Sequence, residues 1–121
     1  MNKIEQRKHA RLLFSAADQA RALIEVPEQE IITATVLDIS ESGIGLSLKQ
    51  NEIFIDQGEH CIMVELRGLV GIHFDFGIEI EVRWLLNYEA LGLLALGCRF
   101  INIPPPIRAA LRDFVARNLR A

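Results

Sequence analysis

The chain has 121 residues, and thirteen basic against sixteen acidic side chains leave a formal charge of −3. Half of the residues are hydrophobic and 24% are charged, a balance that fills a core and excludes a disordered tail. One small domain over residues 1–121 is expected, too short to add a separate cofactor domain for multi-step catalysis.

In chain order, the first eleven residues hold Lys3, Arg7, Lys8 and Arg11 against Glu5, with no apolar stretch, so no secretory signal is expected. Residues 12–21 show no clear period. Ala22–Val26 is a short strand ended by Pro27, and Ile31–Ser40 is a strand rich in β-branched residues. Period-two alternation then recurs three times: Ile44, Leu46 and Leu48; Ile62, Val64 and Leu66; and Ile78, Ile80, Val82 and Trp84. Each series implies one buried and one wet face, and by its parity Trp84 belongs to the core. Glu79 and Glu81 fall on the wet face. Leu93–Ile101 is apolar almost throughout, as in a strand covered on both sides. Turn residues separate these segments at 27–30, 41–43, 56–59, 68–71 and 87–91.

Pro104, Pro105 and Pro106 end the last strand, and proline is tolerated at a helix start. Ile107, Leu111, Phe114, Val115 and Leu119 recur at helical spacing, with Arg108, Arg112 and Arg120 toward the other side. The expected fold is therefore mainly β: a small six-stranded antiparallel barrel over 22–101, with a C-terminal amphipathic α-helix over 104–120 covering an open edge or end. The longest apolar run, Ala90–Cys98, stops at Arg99, short of the roughly 20 residues that cross a bilayer. No membrane insertion is expected. Cys61 and Cys98 have neither metal spacing nor the density of a disulfide framework, which implies reduced core thiols and a cytoplasmic location.

Charge is unevenly placed. Residues 104–121 hold four arginines against Asp113, whereas residues 12–103 hold five basic and fourteen acidic side chains. An acidic body thus carries a basic segment at each end, and such segments attract anions. Four cations are few for a duplex-binding surface, where many phosphates must be neutralised. A small anionic ligand fits better, beside the plain alternative of solvated charges.

Two short patterns stand out. Arg7-Lys8-His9-Ala10-Arg11 places two arginines four apart in the basic arm. Asp38-Ile39-Ser40-Glu41-Ser42-Gly43 ends one strand in a turn before the next. Together they resemble the PilZ domain, a bacterial receptor for the second messenger cyclic di-GMP, whose pattern is Arg-x-x-x-Arg followed by Asp or Asn-x-Ser-x-x-Gly. All five fixed positions match, with Asp38 lying 27 positions after Arg11. Gly97-Cys98-Arg99-Phe100 is similar to a Gly-x-x-Phe-like segment late in the family. The resemblance implies a six-stranded barrel with a helix near its C-terminus, matching the elements above. It also implies a ligand, cyclic di-GMP, with no cofactor. Gln6 stands where many members carry a further basic residue, which leaves open one ligand or a stacked pair.

The residue types suit that ligand. A guanidinium pairs with phosphate oxygens, or with O6 and N7 of guanine, in a planar fork that lysine cannot reproduce. Asp38 offers the acceptor that guanine's N–H edge requires, Ser40 donates or accepts beside it, and Gly43 permits positive φ or close backbone approach. Arg7, Arg11, Asp38, Ser40 and Gly43 are thus the candidate ligand-binding residues. Lys8, His9, Ser42, Trp84 and Arg99 are secondary candidates, with solvation, turn chemistry, core packing or ion pairing as their ordinary alternatives. Residues 1–11 are expected to form a mobile arm that folds over the nucleotide. Ordering costs about 1–2 kcal/mol per residue, and the ordered arm would present a new surface to an effector protein.

Other signals are set aside. Asp75-Phe76-Gly77 spells a kinase activation motif, without the phosphate loop or length of a kinase. His9, His60, His73 and the two cysteines have no metal-site spacing. Neither an acid–base pair nor a nucleophilic triad is visible, so no enzyme is expected. Two rivals stay open: a PilZ-like structural or interaction module that does not bind nucleotide, and a small barrel for single-stranded nucleic acid. The second would expose aromatics on a basic strand face, whereas these strands are acidic, and no nucleic-acid partner is expected.

Overall fold

In the computed structural model, which describes residues 9–50, 54–72 and 77–119, the alternating segments form antiparallel strands. They are β1 (Leu12–Leu13), β2 (Arg21–Glu25), β3 (Ile31–Ile39), β4 (Gly43–Lys49), β5 (His60–Arg67), β6 (Ile78–Tyr88) and β7 (Leu93–Phe100), followed by helix α1 (Pro105–Leu119). Six of them close a barrel in the order β3-β2-β5-β6-β7-β4, with β4 pairing back onto β3. The short β1 lies outside and pairs with β3 alone. Closure leaves no long unpaired edge.

The interior is filled by the inward series of each strand, among them Ile24, Val36, Ile39, Ile44, Leu46, Met63, Ile80, Val82 and Leu96. Removing each such side chain from water stabilises the fold by roughly 1.5–3 kcal/mol. Leu111, Phe114 and Val115 of α1 join the same core. The proline triplet starts this helix as expected: the Pro104 carbonyl accepts from the Ile107 and Arg108 amides, both at 3.0 Å.

Three single-residue bulges interrupt the ladders, and each reverses the parity of its strand. In β5 the partner of Ile24 is Met63 while that of Leu23 is Glu65, so Val64 is unpaired. Cys61 and Met63 consequently face the core, while Ile62 and Val64, expected to share one face with Leu66, are only half-buried. Leu66 regains the core beyond the bulge. In β3, Leu37 is unpaired between Val36 and Asp38. In β6, Arg83 is unpaired between Val82 and Trp84. This last bulge overturns the expectation that Trp84 packs in the core: Val82 is fully buried, but Trp84 emerges outside at 38% exposure.

Candidate functional site

The site is built on one row of residues running across four strands. Asp38 of β3 pairs with Gly45 of β4, Gly45 with Gly97 of β7, and Gly97 with Trp84 of β6. The bulge at Leu37 lets both Val36 and Ile39 face inward, so Asp38 between them turns outward. The bulge at Arg83 does the same for Trp84. The two glycines between them leave the outer wall bare. A Cβ on Gly45 would come within 2.8 Å of the Asp38 carboxylate, and one on Gly97 within 2.0 Å of the Trp84 indole. Both side chains thus lie where glycine withholds one. Gly45 and Gly97 were not among the expected site residues; a lone glycine inside a strand is the signal for such a close approach.

The Ser40–Gly43 turn overhangs this floor. Ser40 is buried, and its Oγ accepts the amides of Ser42 at 3.2 Å and Gly43 at 3.1 Å, while the Ser40 amide donates to the Gly43 carbonyl at 2.9 Å. The Oγ atoms of Ser40 and Ser42 are hydrogen-bonded at 3.1 Å, either hydroxyl being able to donate. Gly43 is needed for proximity: a Cβ there would meet the Cys98 carbonyl at 2.3 Å, and its φ is not positive.

Residues 12–13, which showed no clear period, anchor the chain beside the site. Leu12 pairs with Ile39, Leu13 with Asp38, and the Phe14 amide donates to the Leu37 carbonyl at 2.9 Å. Leu12 and Phe14 pack on the core, and Arg11, one residue earlier, has its Nη1 3.9 Å from Asp38 Oδ2. At the other end of the chain, α1 presents Arg108, whose Nε donates to Glu41 Oε2 at 3.1 Å. His9 Nε2 lies 3.8 Å from the other oxygen of Glu41.

These groups line a cleft of about 400 Å3, together with Arg83, Arg99, Phe100 and Ile103. Arg99 pairs with Glu81, the residue opposite it on β6, at 2.5 Å. That hydrogen bond is the main reason the Glu81 carboxyl is held below the usual carboxylate range, with His60 and Arg83 adding their charges. A larger groove beside β3 and β4 has Lys49 as the one cation among its described lining residues. Beneath the floor, burial pushes the Cys61 thiol up to about 11 and the Cys98 thiol up to about 12, far from a reactive thiolate. Among the described residues no cluster of His, Cys, Asp or Glu could hold a metal ion, and no helix is long and apolar enough to cross a membrane.

Of the candidate residues, Arg11, Asp38, Ser40 and Gly43 converge on this cleft with His9, Ser42, Trp84 and Arg99. Arg7 and Lys8 lie outside the described residues. The sequence profile of the PilZ domain matches residues 5–117. The chain belongs to the PilZ domain family. Similar solved structures share the fold at low identity. YcgR of Escherichia coli in complex with c-di-GMP has a TM-score of 0.74 at 14% identity, covering 95% of this chain and 46% of YcgR. The inhibitor of motility MotI/DgrA of Bacillus subtilis has a TM-score of 0.72 at 20% identity, covering 96% and 52%. MrkH of K. pneumonia, also in complex with c-di-GMP, has a TM-score of 0.75 at 14% identity, covering 96% and 53%. The PilZ chain described here thus spans about half the length of each of these three proteins. Among curated proteins none matches it in sequence.

Within this PilZ domain the Asp-x-Ser-x-x-Gly stretch divides its labour. Asp38 faces the cleft, Ser40 ties the turn together, and Gly43 lets β4 approach β7. Glu41 and Arg108 were absent from the expected site, because nothing local in the sequence brings positions 67 residues apart together.

Proposed function

We propose that this chain is a receptor for cyclic di-GMP, binding one guanine between Asp38 and Trp84 over the Gly45–Gly97 floor. The observation that carries the reading is the outward Asp38 carboxylate and the Trp84 indole, with two strands of bare backbone between them in a cleft edged by arginines. A carboxylate accepts both N–H groups of the guanine edge, and an indole offers its π-face to a base. Arg11, together with Arg7, clamps phosphate or the O6/N7 edge through its fork. Ser40 and Ser42 hold the turn, while Lys8 and Arg99 supply positive charge around the phosphates and His9 offers a ring N–H beside them. The arm that carries Arg7 and Arg11 closes over the nucleotide, and its ordered form is the surface on which an effector protein reads the signal. No chemistry is performed on the ligand.

Calorimetric titration with cyclic di-GMP tests this, expected to give micromolar or tighter binding, about −8 kcal/mol or better. Arg11→Ala and Asp38→Ala should each lose roughly 1–3 kcal/mol with the fold intact. Trp84 is the only tryptophan, so its fluorescence should be quenched in step with the heat. Absence of both signals at high ligand concentration would leave the non-binding module as the better description. Slower trypsin cleavage at Arg7 and Arg11 with ligand present would support arm closure, and unchanged cleavage would refute it.

A further inference from the structure

We infer that Arg108 of α1 is an additional phosphate-binding residue of this cleft, and that Glu41 is a built-in competing anion that occupies it in the empty state. The inference rests on the reading of the cleft as a cyclic di-GMP site.

Glu41 sits on the Ser40–Gly43 turn with its side chain only 16% exposed. It engages two side chains from opposite ends of the chain: the Arg108 guanidinium through a hydrogen bond at 3.1 Å, and the His9 imidazole, whose Nε2 lies at 3.8 Å. The other two acids near the cleft have different duties. Asp38 stands in the floor row as the acceptor for a base edge, and Glu81 pairs with Arg99 as its cross-strand neighbour within the barrel wall. Glu41 has no strand neighbour to brace. Its two oxygens instead face Arg108 and His9, which line the same cleft.

A guanidinium engages a phosphodiester with the same fork that it offers a carboxylate. The two phosphates of the ligand can therefore take over Arg108, and Glu41 swings toward solvent. Left in place, Glu41 would repel the incoming dianion at short range. Ligand affinity thus contains the work of breaking the Glu41–Arg108 pair, and the swap is felt at the first turn of α1. That helix is fixed to the barrel by Leu111, Phe114 and Val115, so the exchange involves side chains and leaves the fold unchanged.

The test is calorimetric titration of the full chain with cyclic di-GMP for the wild type, Glu41→Gln, Arg108→Ala and Arg108→Lys, with thermal melts confirming that each is folded. Glu41→Gln removes the competing charge at constant shape and should bind about threefold to tenfold tighter. Arg108→Ala should bind about fivefold to tenfold weaker, with Arg108→Lys between it and the wild type. Wild-type binding that Arg108→Ala leaves unchanged, or that Glu41→Gln weakens, overturns this inference and spares the reading of the site. A wild type that does not bind overturns both.

Discussion

Two stretches of the same barrel wall use identical antiparallel pairing and come out differently. On the β3-β2-β5 side, the outward row passes through Thr33, Leu23 and Glu65, a side chain at every position. On the β3-β4-β7-β6 side, the row passes through Asp38, Gly45, Gly97 and Trp84, with its two middle positions bare. Both stretches contain bulges. In the first, the bulge at Val64 only exchanges which residues of β5 meet the core. In the second, the bulges at Leu37 and Arg83 stand on either side of the glycines and turn a carboxylate and an indole outward. A recess in a barrel wall arises from omitting side chains where two reversed strands flank the gap, and the chain ends add Arg11 and Arg108 to the charges of the strands.

That contrast can be broken most severely from below. Ile39 is fully buried beside Asp38, and Ile39→Ala should cost about 2–5 kcal/mol of stability by thermal or denaturant unfolding. The site would then fail because its platform fails.

A subtler change sharpens the comparison. Gly97→Ala puts a Cβ where the Trp84 indole lies. The protein should fold, its tryptophan emission should shift to longer wavelength as the ring lifts into water, and cyclic di-GMP affinity should fall by about tenfold. Thr33→Ala on the filled wall should change neither reading. Equal losses from both substitutions would show that the glycine floor has no special part in binding.

The smallest effect concerns the thiols beneath the floor. Their folded values are raised from the ordinary 9.0 to about 11 for Cys61 and about 12 for Cys98. The folded chain therefore holds these protons after the unfolded chain has released them. Their contribution to stability is complete below pH 9 and is lost as pH rises toward 11–12, so melting temperature should decline across that window. Replacing both cysteines by alanine should flatten the decline, and a slope that persists unchanged would assign it to other groups.

Much of the fold was legible in residue order, and so was the turn on which the candidate site is centred. The β-branched run at 31–40, the alternation in 44–48 and 78–82, and the proline triplet before an amphipathic segment each announced an element that formed. These signals are local: the period of the apolar residues is the period of the backbone. Arg11 of the Arg-x-x-x-Arg pattern and the Asp-x-Ser-x-x-Gly residues line the cleft, while Arg7 lies outside the described residues.

What the sequence by itself determined is thus the six barrel strands and the C-terminal helix, the family, and the loop on which the candidate site is centred. Tertiary structure alone decided the parity of Cys61, Met63, Asp38 and Trp84, because a bulge is set by which residue the neighbouring strand leaves unpaired. It alone decided that Leu12 and Leu13 extend β3's pairing, since two residues carry no period of their own. The meeting of His9, Glu41 and Arg108 is likewise a product of closure. Only when β4 returns to β3 and α1 packs into the core do a distant imidazole and a distant guanidinium share one carboxylate.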